Sequence, residues 1–423
     1  MNELEVVDPE IAAAVRREMA RQALTIELVA ATNFASRAVL EVQGSVFAHK
    51  TLEGYPGRRY HGGHRYVDVI ENLAVERAKE LFGAEHANVQ PHSGVSANMA
   101  VYFAVLQPGD RILGMDLATG GHLSHGHPAS FSGRFYRASF YGVNPDSELI
   151  DYDEVWAIAS KEKPKMIICG ASAYPKALDF ARFREIADEV GAYLLADIAH
   201  FAGLVAGGAY PSPVPYADFV TFTTYKTLRG ARGGTILCKK EFADKIDAAV
   251  FPGVQGSMHV HLMAGKAVTF KLAMTQEFRD YAKQVVANAR ALARALQERG
   301  YRIVCGGTDS HIVLVDLRPQ RITGMQAQEV LEGVGIVTNK NRIPFDPLGP
   351  EVTSGIRLGS SAMTTRGFGE AEMEETAGII AEVLSDPDDE KTLQEARRKV
   401  RELCLRFPLY MDRWEMGAFG KSS

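Results

Sequence analysis

Apolar residues recur along this chain at two periods, and the switches between them mark out its elements. Asp8-Pro9 caps and opens a helix in which Ile11, Val15 and Met19 recur every four residues. Residues 31–66 are rich in glycine and polar side chains and show little periodicity. Irregular stretches of that length inside compact chains are commonly functional. Over residues 67–247, short apolar runs alternate with amphipathic stretches. Residues 164–169 and 193–197 read as buried strands on either side of a helix over 180–190. Val95, Met99, Phe103 and Leu106 share one face of another helix. This alternation predicts an α/β fold, with a mostly parallel sheet covered by helices on both faces. A long helical region over about 263–299 stops at Gly300, and residues 301–304 and 311–315 read as paired strands. Two amphipathic helices separated by Ser385-Asp386-Pro387 close the pattern.

A chain of 423 residues exceeds one ordinary core. The division expected is an N-terminal helix and arm over 1–46, a large domain over 47–282 and a smaller α+β domain over 283–423. With 47 basic and 52 acidic residues the net charge is −5, too near neutral to argue for nucleic-acid or membrane partners. Cys169, Cys238, Cys305 and Cys404 are scattered without a C-x-x-C pair, which suits thiols in a reducing compartment. The start, Met1-Asn2-Glu3-Leu4-Glu5, is acidic and has no apolar run, and no stretch is long enough to span a bilayer. The expectation is a cytoplasmic protein.

Candidate chemistry begins at Lys226, where a β-branched run from Phe219 to Thr223 passes into Thr224-Tyr225-Lys226-Thr227 and then Arg229-Gly230-Ala231-Arg232-Gly233-Gly234. A lysine at the end of a buried strand, among hydroxyls, guanidinium groups and glycines, suits a Schiff base to pyridoxal phosphate. Burial and nearby cations lower its pKa toward nucleophilic use. By itself the run equally fits a surface loop. Asp197 ends another predicted strand, and ligands gather at the carboxyl ends of parallel strands. It can pair with a protonated pyridine nitrogen or simply cap a helix. His92-Ser93-Gly94-Val95 is either a plain helix cap or a phosphate site at a helix start. His122 lies in the glycine-rich run Gly120-Gly121-His122-Leu123, able to stack on a flat ring or to sit in solvent. Arg357 in Thr353-Ser354-Gly355-Ile356-Arg357 has the planar fork a carboxylate needs, with Arg342 and Arg366 as competitors. His125 with His127, and His259 with His261, have ligand-like spacing but no matching third ligand, so no metal is expected.

Together these segments resemble serine hydroxymethyltransferase, a fold-type I pyridoxal-phosphate enzyme. The likeness runs from about Pro9 to Tyr410. It is strongest in Leu52-Glu53-Gly54-Tyr55-Pro56-Gly57-Arg58-Arg59-Tyr60, His92-Ser93-Gly94, Gly121-His122-Leu123, residues 197–203, Lys226 and residues 353–357. The resemblance implies a mostly parallel seven-stranded sheet in the large domain, a smaller α+β C-terminal domain, and a homodimer with shared active sites. It implies Lys226 as the lysine joined to the cofactor, Asp197 on the pyridine nitrogen, His122 stacked on the ring, and Ser172 and His200 on its 3-oxygen side. Thr223 joins the cofactor contacts. Ser93, Gly94 and Val95 would hold the phosphate, helped by Gly256 from a neighbouring subunit. Arg357 would bind the substrate carboxylate, with Thr51, Tyr60 and His61 in the substrate pocket. Glu53 would serve catalysis and, with Tyr60, Leu117, Gly121, Leu123 and Asn341, bind tetrahydrofolate.

The departures from the family pattern cluster around the substrate. Where the family usually reads Ile-Ala-Ser-Glu-Asn-Tyr, this chain has Val29-Ala30-Ala31-Thr32-Asn33-Phe34, so a serine is Ala31. The tyrosine two residues before the Glu53 position is Thr51, and the second tyrosine of the Arg-Tyr-Tyr run is His61. The histidine before the lysine is Tyr225, and a small residue after Asn341 is Arg342. Losing a ring at position 51 opens space beside the substrate α-carbon. In this respect the chain resembles the branch that interconverts 2-methylserine and D-alanine with tetrahydrofolate. The rival readings are L-serine/glycine turnover, a folate-independent threonine aldolase or transaldolase, and a non-enzymatic binding protein of the same fold.

Overall fold

The computed structural model describes residues 3–410; Met1, Asn2 and positions 411–423, the end of the predicted C-terminal domain, lie outside that range. Before the main sheet come the two-residue strands β1 (Ile26–Glu27), β2 (Gly54–Tyr55) and β3 (Arg58–Arg59). The main sheet then uses β4 (His86–Asn88), β5 (Arg111–Met115), β6 (Arg137–Tyr141), β7 (Met166–Gly170), β8 (Tyr193–Asp197), β9 (Phe219–Thr223) and β10 (Gly234–Cys238). Its seven strands run in the order β4-β10-β9-β8-β7-β5-β6. The pairs from β6 through β9 are parallel, and β10 is antiparallel to both β9 and β4. Every residue of β7, β9 and β10 is buried, which is why these strands read as short unbroken apolar runs. The predicted helix Phe180–Val190 and strand Tyr193–Asp197 have the expected bounds.

A second sheet follows, built from β11 (Arg302–Ile303), β12 (Ile312–Asp316), β14 (Asn339–Asn341) and β15 (Gly355–Gly359), while β13 (Ile336–Val337) pairs in parallel with β1. Ile26 and Leu28 therefore belong to the same apolar cluster as Val313, Ile356 and Leu358, and the N-terminal arm supplies part of the second core. Position 283 falls inside the helix Gln276–Glu298, whose Phe278 and Val286 join the first core and whose Ala289 and Leu296 join the second.

One local expectation is corrected, and two helices bury sides that their apolar spacing does not mark. The helical region over 263–299 is two helices, Val260–Ala273 and Gln276–Glu298, because Thr275 leaves helical geometry and its side chain caps the Phe278 amide. In the helix Gly94–Val105, Val95 and Phe103 are exposed, whereas Ala97, Asn98, Ala100 and Val101 are buried. Small residues let this helix approach β9 and β10 closely, with Tyr102 and Leu106 buried beside them, while Val95 and Phe103 face outward. The helix Pro9–Leu24 opens as expected, with Asp8 capping the Ile11 amide, and in it Ile11 and Val15 are exposed and Ala12 is the buried residue.

That helix is held at its C-terminal end by one side chain. The buried guanidinium of Arg366 donates to the carbonyls of Gln22 at 3.3 Å, Thr25 at 3.0 Å, Cys404 at 2.8 Å and Phe407 at 2.7 Å, and also to Ala23. It thus satisfies the open ends of both Pro9–Leu24 and Glu390–Arg406. Replacing Arg366 with Met should cost about 3 kcal/mol or more, since hydrogen bonds from a charged donor are lost and buried acceptors are stranded. Amide exchange should rise first in Pro9–Leu24 and Glu390–Arg406; unchanged protection there would refute the assignment.

Candidate active site

The carboxyl ends of β7, β8 and β9 open into one pocket. Its lining includes Ser93, Gly94, Val95, His122, Ser172, Asp197, His200, Thr223 and Lys226. All the cofactor contacts implied for the chain's own residues are thus brought together, although they come from distant stretches of sequence. Asp197 is the last residue of β8, Thr223 the last of β9, and Lys226 follows three residues later. Gly170 ends β7, and a Cβ there would lie 2.3 Å from the Asp197 carbonyl, so glycine permits the close approach of the two strands. A larger cavity of about 400 Å³ between Phe34, Leu228, Leu272 and Phe278 has no lysine or histidine in its lining.

Asp197 is deeply buried and fully engaged. Its Oδ2 accepts from Asn98 Nδ2 at 2.8 Å and faces His125 Nε2 at 3.0 Å, while Oδ1 accepts the Ala199 amide at 3.0 Å. Burial alone would raise its pKa. The hydrogen bonds from His125 and Asn98 and the nearby imidazoles outweigh burial and hold the carboxyl below its ordinary range. The network continues outward: Asn98 Nδ2 donates to Ser124 Oγ at 2.9 Å, and Ser124 Oγ lies 2.7 Å from His122 Nδ1. Thr221 Oγ1 donates to Asn98 Oδ1 at 2.6 Å. Sequence reasoning missed Asn98 and Ser124 and weighed His125 only as a metal ligand. Among the described residues, His122, His125 and Asp197 offer ligand-type atoms within 4.8 Å of one another. Hydrogen bonding accounts for the His125–Asp197 contact.

Two lysines are buried near the pocket floor, and their partners differ. Lys266 Nζ donates to the carbonyls of Val89, Pro91 and Gly234 at 2.7, 3.0 and 2.8 Å, which uses all three of its protons behind the Ser93 turn. Among the described residues, no hydrogen bond holds Lys226 Nζ. Burial lowers the Lys226 amine to about 8; Asp197 opposes the shift, and Arg357 and Arg232 assist it. Burial also lowers His122 to about 4, with His125 assisting. His200 is driven well below its ordinary value by burial and then by Lys226. Both imidazoles are neutral at neutral pH. Tyr225 lies under the guanidinium of Arg232, 3.9 Å from its ring centroid.

Arg357 comes from β15 to the edge of the pocket, at Ser172. Its guanidinium donates to the Ser172 carbonyl, and Nε donates to Asn339 Oδ1 at 3.2 Å. Burial draws Arg357 down to about 10, still cationic at neutral pH. Its competitor Arg366 is consumed by backbone carbonyls far along the chain. Asn339, which orients Arg357, carried no signal in the sequence beyond its place two residues before Asn341.

The remaining predicted residues form a second group. Thr51, Tyr60 and His61 are exposed, and none of Thr51, Glu53, Tyr60, His61 or Gly256 lines the pocket. They share a hairpin instead: β2 pairs with β3, the Tyr60 amide donates to the Glu53 carbonyl at 3.3 Å, and Leu52 pairs with Ser257 and Met258 beside Gly256. Leu117 and Leu123 are exposed on either side of Gly121 and His122. Asn341 lies on β14, where its side chain donates to the Arg342 carbonyl at 2.7 Å.

The pocket residues suit pyridoxal phosphate. The Gly94 and Val95 amides open a helix and have no intrahelical carbonyl to reach. A Cβ on Gly94 would come 2.9 Å from Thr223 Cγ2, so a side chain there would fill the phosphate cradle. In cofactor-free protein, the rate of pyridoxal phosphate capture should rise with pH and level off above about 8, where Lys226 has lost its proton. Rapid-mixing absorbance from pH 6 to 10 checks this, and an inflection near the ordinary lysine value would contradict it. Because the folded amine binds protons less readily than the unfolded one, cofactor-free protein should also gain stability as pH rises above about 8. Lys226→Ala should lose the capture and part of the stability gain, the rest coming from Lys266, which burial lowers to about 7.

A family model described as serine hydroxymethyltransferase matches residues 4–380. The chain belongs to the serine hydroxymethyltransferase family, pyridoxal-phosphate-dependent enzymes that exchange a hydroxymethyl group between an amino acid and tetrahydrofolate.

Proposed function

We propose that this enzyme interconverts 2-methylserine and D-alanine, with tetrahydrofolate accepting or returning the one-carbon unit. The observation that carries this reading is the threonine at position 51, on the same hairpin as Glu53, Tyr60 and His61. A threonine has room beside it where an aromatic ring would stand, and a methyl group on Cα requires that room. In the forward direction Cα–Cβ cleaves, the Cβ unit passes to tetrahydrofolate as its methylene, water is released, and Cα gains a proton to give alanine.

Each residue then has a task set by its surroundings. Arg357, oriented by Asn339 and held cationic, binds the substrate carboxylate. Lys226 anchors the cofactor and can move a proton at Cα because burial makes its amine easily discharged. Pyridoxal phosphate, when bound, supplies an electron sink for the Cα pair, and the negative charge kept on Asp197 favours its protonated pyridine nitrogen. The neutral imidazole of His122 would stack on the cofactor ring and exclude water. Ser172 and His200 would hold its 3-oxygen side, while Ser93, Gly94, Val95 and Thr223 would hold the phosphate. Glu53 exchanges the proton of the hydroxymethyl oxygen. Leu117, Gly121, Leu123, Tyr60 and Asn341 form the folate face.

The hairpin reaches a pocket by pairing of two chains. Exposure of Thr51, Tyr60 and His61 away from the chain's own pocket supports a homodimer in which Glu53 and Gly256 serve the neighbouring site. The outward Val95, Phe103, Ile11 and Val15 side chains support burial of further surface on pairing.

Two measurements test these proposals. Initial rates with both enantiomers of 2-methylserine, D-alanine and L-serine, with and without tetrahydrofolate, should favour the methyl-bearing substrates. Thr51→Tyr should shift that preference toward L-serine by roughly 10–200-fold, the range for one group-sized fit difference. Wild-type preference for L-serine, or equal losses on both substrates, would overturn the assignment. Separately, Lys226→Ala and Glu53→Gln protomers, each inactive alone, should regain activity when mixed and exchanged. Continued inactivity despite subunit exchange shown by mass would place each site within one chain.

A further inference from the structure

The hairpin that carries Thr51, Glu53, Tyr60 and His61 is fixed at both ends by its own side chains. At the tip, Arg59 Nε donates to Asp68 at 2.9 Å and its guanidinium pairs with the buried Glu71. At the mouth, Lys50 Nζ donates to the Gly62 carbonyl at 2.8 Å. Between these ties lies His64, 5% exposed. Its Nδ1 is 2.6 Å from the His61 carbonyl oxygen, and its Nε2 is 3.0 Å from the Thr51 carbonyl oxygen.

Both partners of this ring are acceptors without a proton to give. A neutral imidazole donates from one nitrogen and turns a lone pair outward from the other. Either tautomer would therefore set a lone pair against one of the two carbonyls, and both contacts are hydrogen bonds only when both ring nitrogens carry protons. Its ring also lies 6.5 Å from that of His61, and His64 precedes the helix Arg65–Phe82 without a side-chain cap, its carbonyl accepting the Asp68 amide at 2.8 Å. The two residues it joins are those at which this chain departs from the family's paired tyrosines.

Building on the role proposed for Thr51 and His61, we infer that His64 is a positioning residue for substrate selection. It is a doubly donating imidazole that fixes the backbone spacing of those two residues. Hydrogen bonds from a charged donor are stronger than neutral ones, so the clamp holds an exposed loop in one geometry before a substrate arrives. Without it, Lys50 and the Glu53–Tyr60 pair still close the hairpin, but the side chains at 51 and 61 are free to spread.

The test uses the intact enzyme with its cofactor. His64→Gln retains a single donor group and His64→Phe retains volume without a donor. In His64→Phe, the ratio of kcat/KM for 2-methylserine to that for L-serine should fall about tenfold, the low end of single-contact discrimination. The fall should come through KM, with the cofactor absorbance band unchanged and His64→Gln intermediate. In ¹⁵N-histidine spectra, the signals lost on His64 substitution should report protons on both ring nitrogens, as its two carbonyl partners require. An unprotonated ring nitrogen in the wild-type enzyme would overturn the clamp, whether or not the variants fold. Unchanged selectivity in both variants, alongside a Thr51→Tyr shift, would overturn it while sparing the proposed substrate. If Thr51→Tyr also shifts nothing, the substrate reading fails and the role in selection fails with it.

Discussion

A carboxylate kept ionised in the protein interior is the constraint on which the rest of this active site depends. Asp197 is cut off from water at the end of β8, and burial by itself would favour its protonated form. Asn98, His125 and the Ala199 amide reverse that preference. Each of these donors must arrive from a different direction. The helix Gly94–Val105 must lie close enough to the sheet for Asn98 to reach, which explains its inward-facing alanines. The loop after β5 must turn back for His125, and the chain beyond β8 must curl so that its own amide caps the carboxylate.

With that negative charge in place, the positive groups divide by whether they are satisfied. Lys266 and Arg366 spend their protons on backbone carbonyls and act as pins, one behind the Ser93 turn and one between the terminal helices. Lys226 is also buried but lacks such partners; desolvation lowers both amines, Lys226 to about 8 and Lys266 to about 7, so the open Nζ is what sets Lys226 apart. Arg357 is intermediate: Asn339 and the Ser172 carbonyl aim it, while its planar fork remains suited to a carboxylate. The same residue types therefore serve structure or chemistry according to the acceptors the fold supplies.

The site is also divided in space. Residues for the cofactor line one pocket at the strand ends, whereas Thr51, Tyr60 and His61 stand on a surface hairpin with Glu53 between them. The departures from the family pattern follow this division only in part: Ser93, His122, Asp197 and Lys226 are kept and the hairpin carries Thr51 and His61, but Tyr225 lines the cofactor pocket. A substrate pocket remade on a separate hairpin can change its selection without disturbing the buried network that supports the cofactor. No described helix is long and apolar enough to cross a membrane.

By itself the sequence determined what short-range pattern can determine. Unbroken apolar runs marked the buried strands, the helix Phe180–Val190 and the strand Tyr193–Asp197 emerged with their observed bounds, and long motifs carried the family and the cofactor contacts. It did not determine which side of a helix would face the sheet. Val95 and Phe103 face outward on Gly94–Val105, while Leu106 of the same stripe is buried and Tyr102 is buried with the alanines. Nor could periodicity see the break at Thr275, where the apolar pattern continues through a residue that prefers to cap. Asn98, Ser124, His125 and Asn339 were hidden because their roles are defined by partners distant in sequence. The choice of Arg357 over Arg366 belonged to the tertiary structure for the same reason: an arginine's function depends on which acceptors folding brings to its guanidinium, and those distances exist only once the chain has closed on itself.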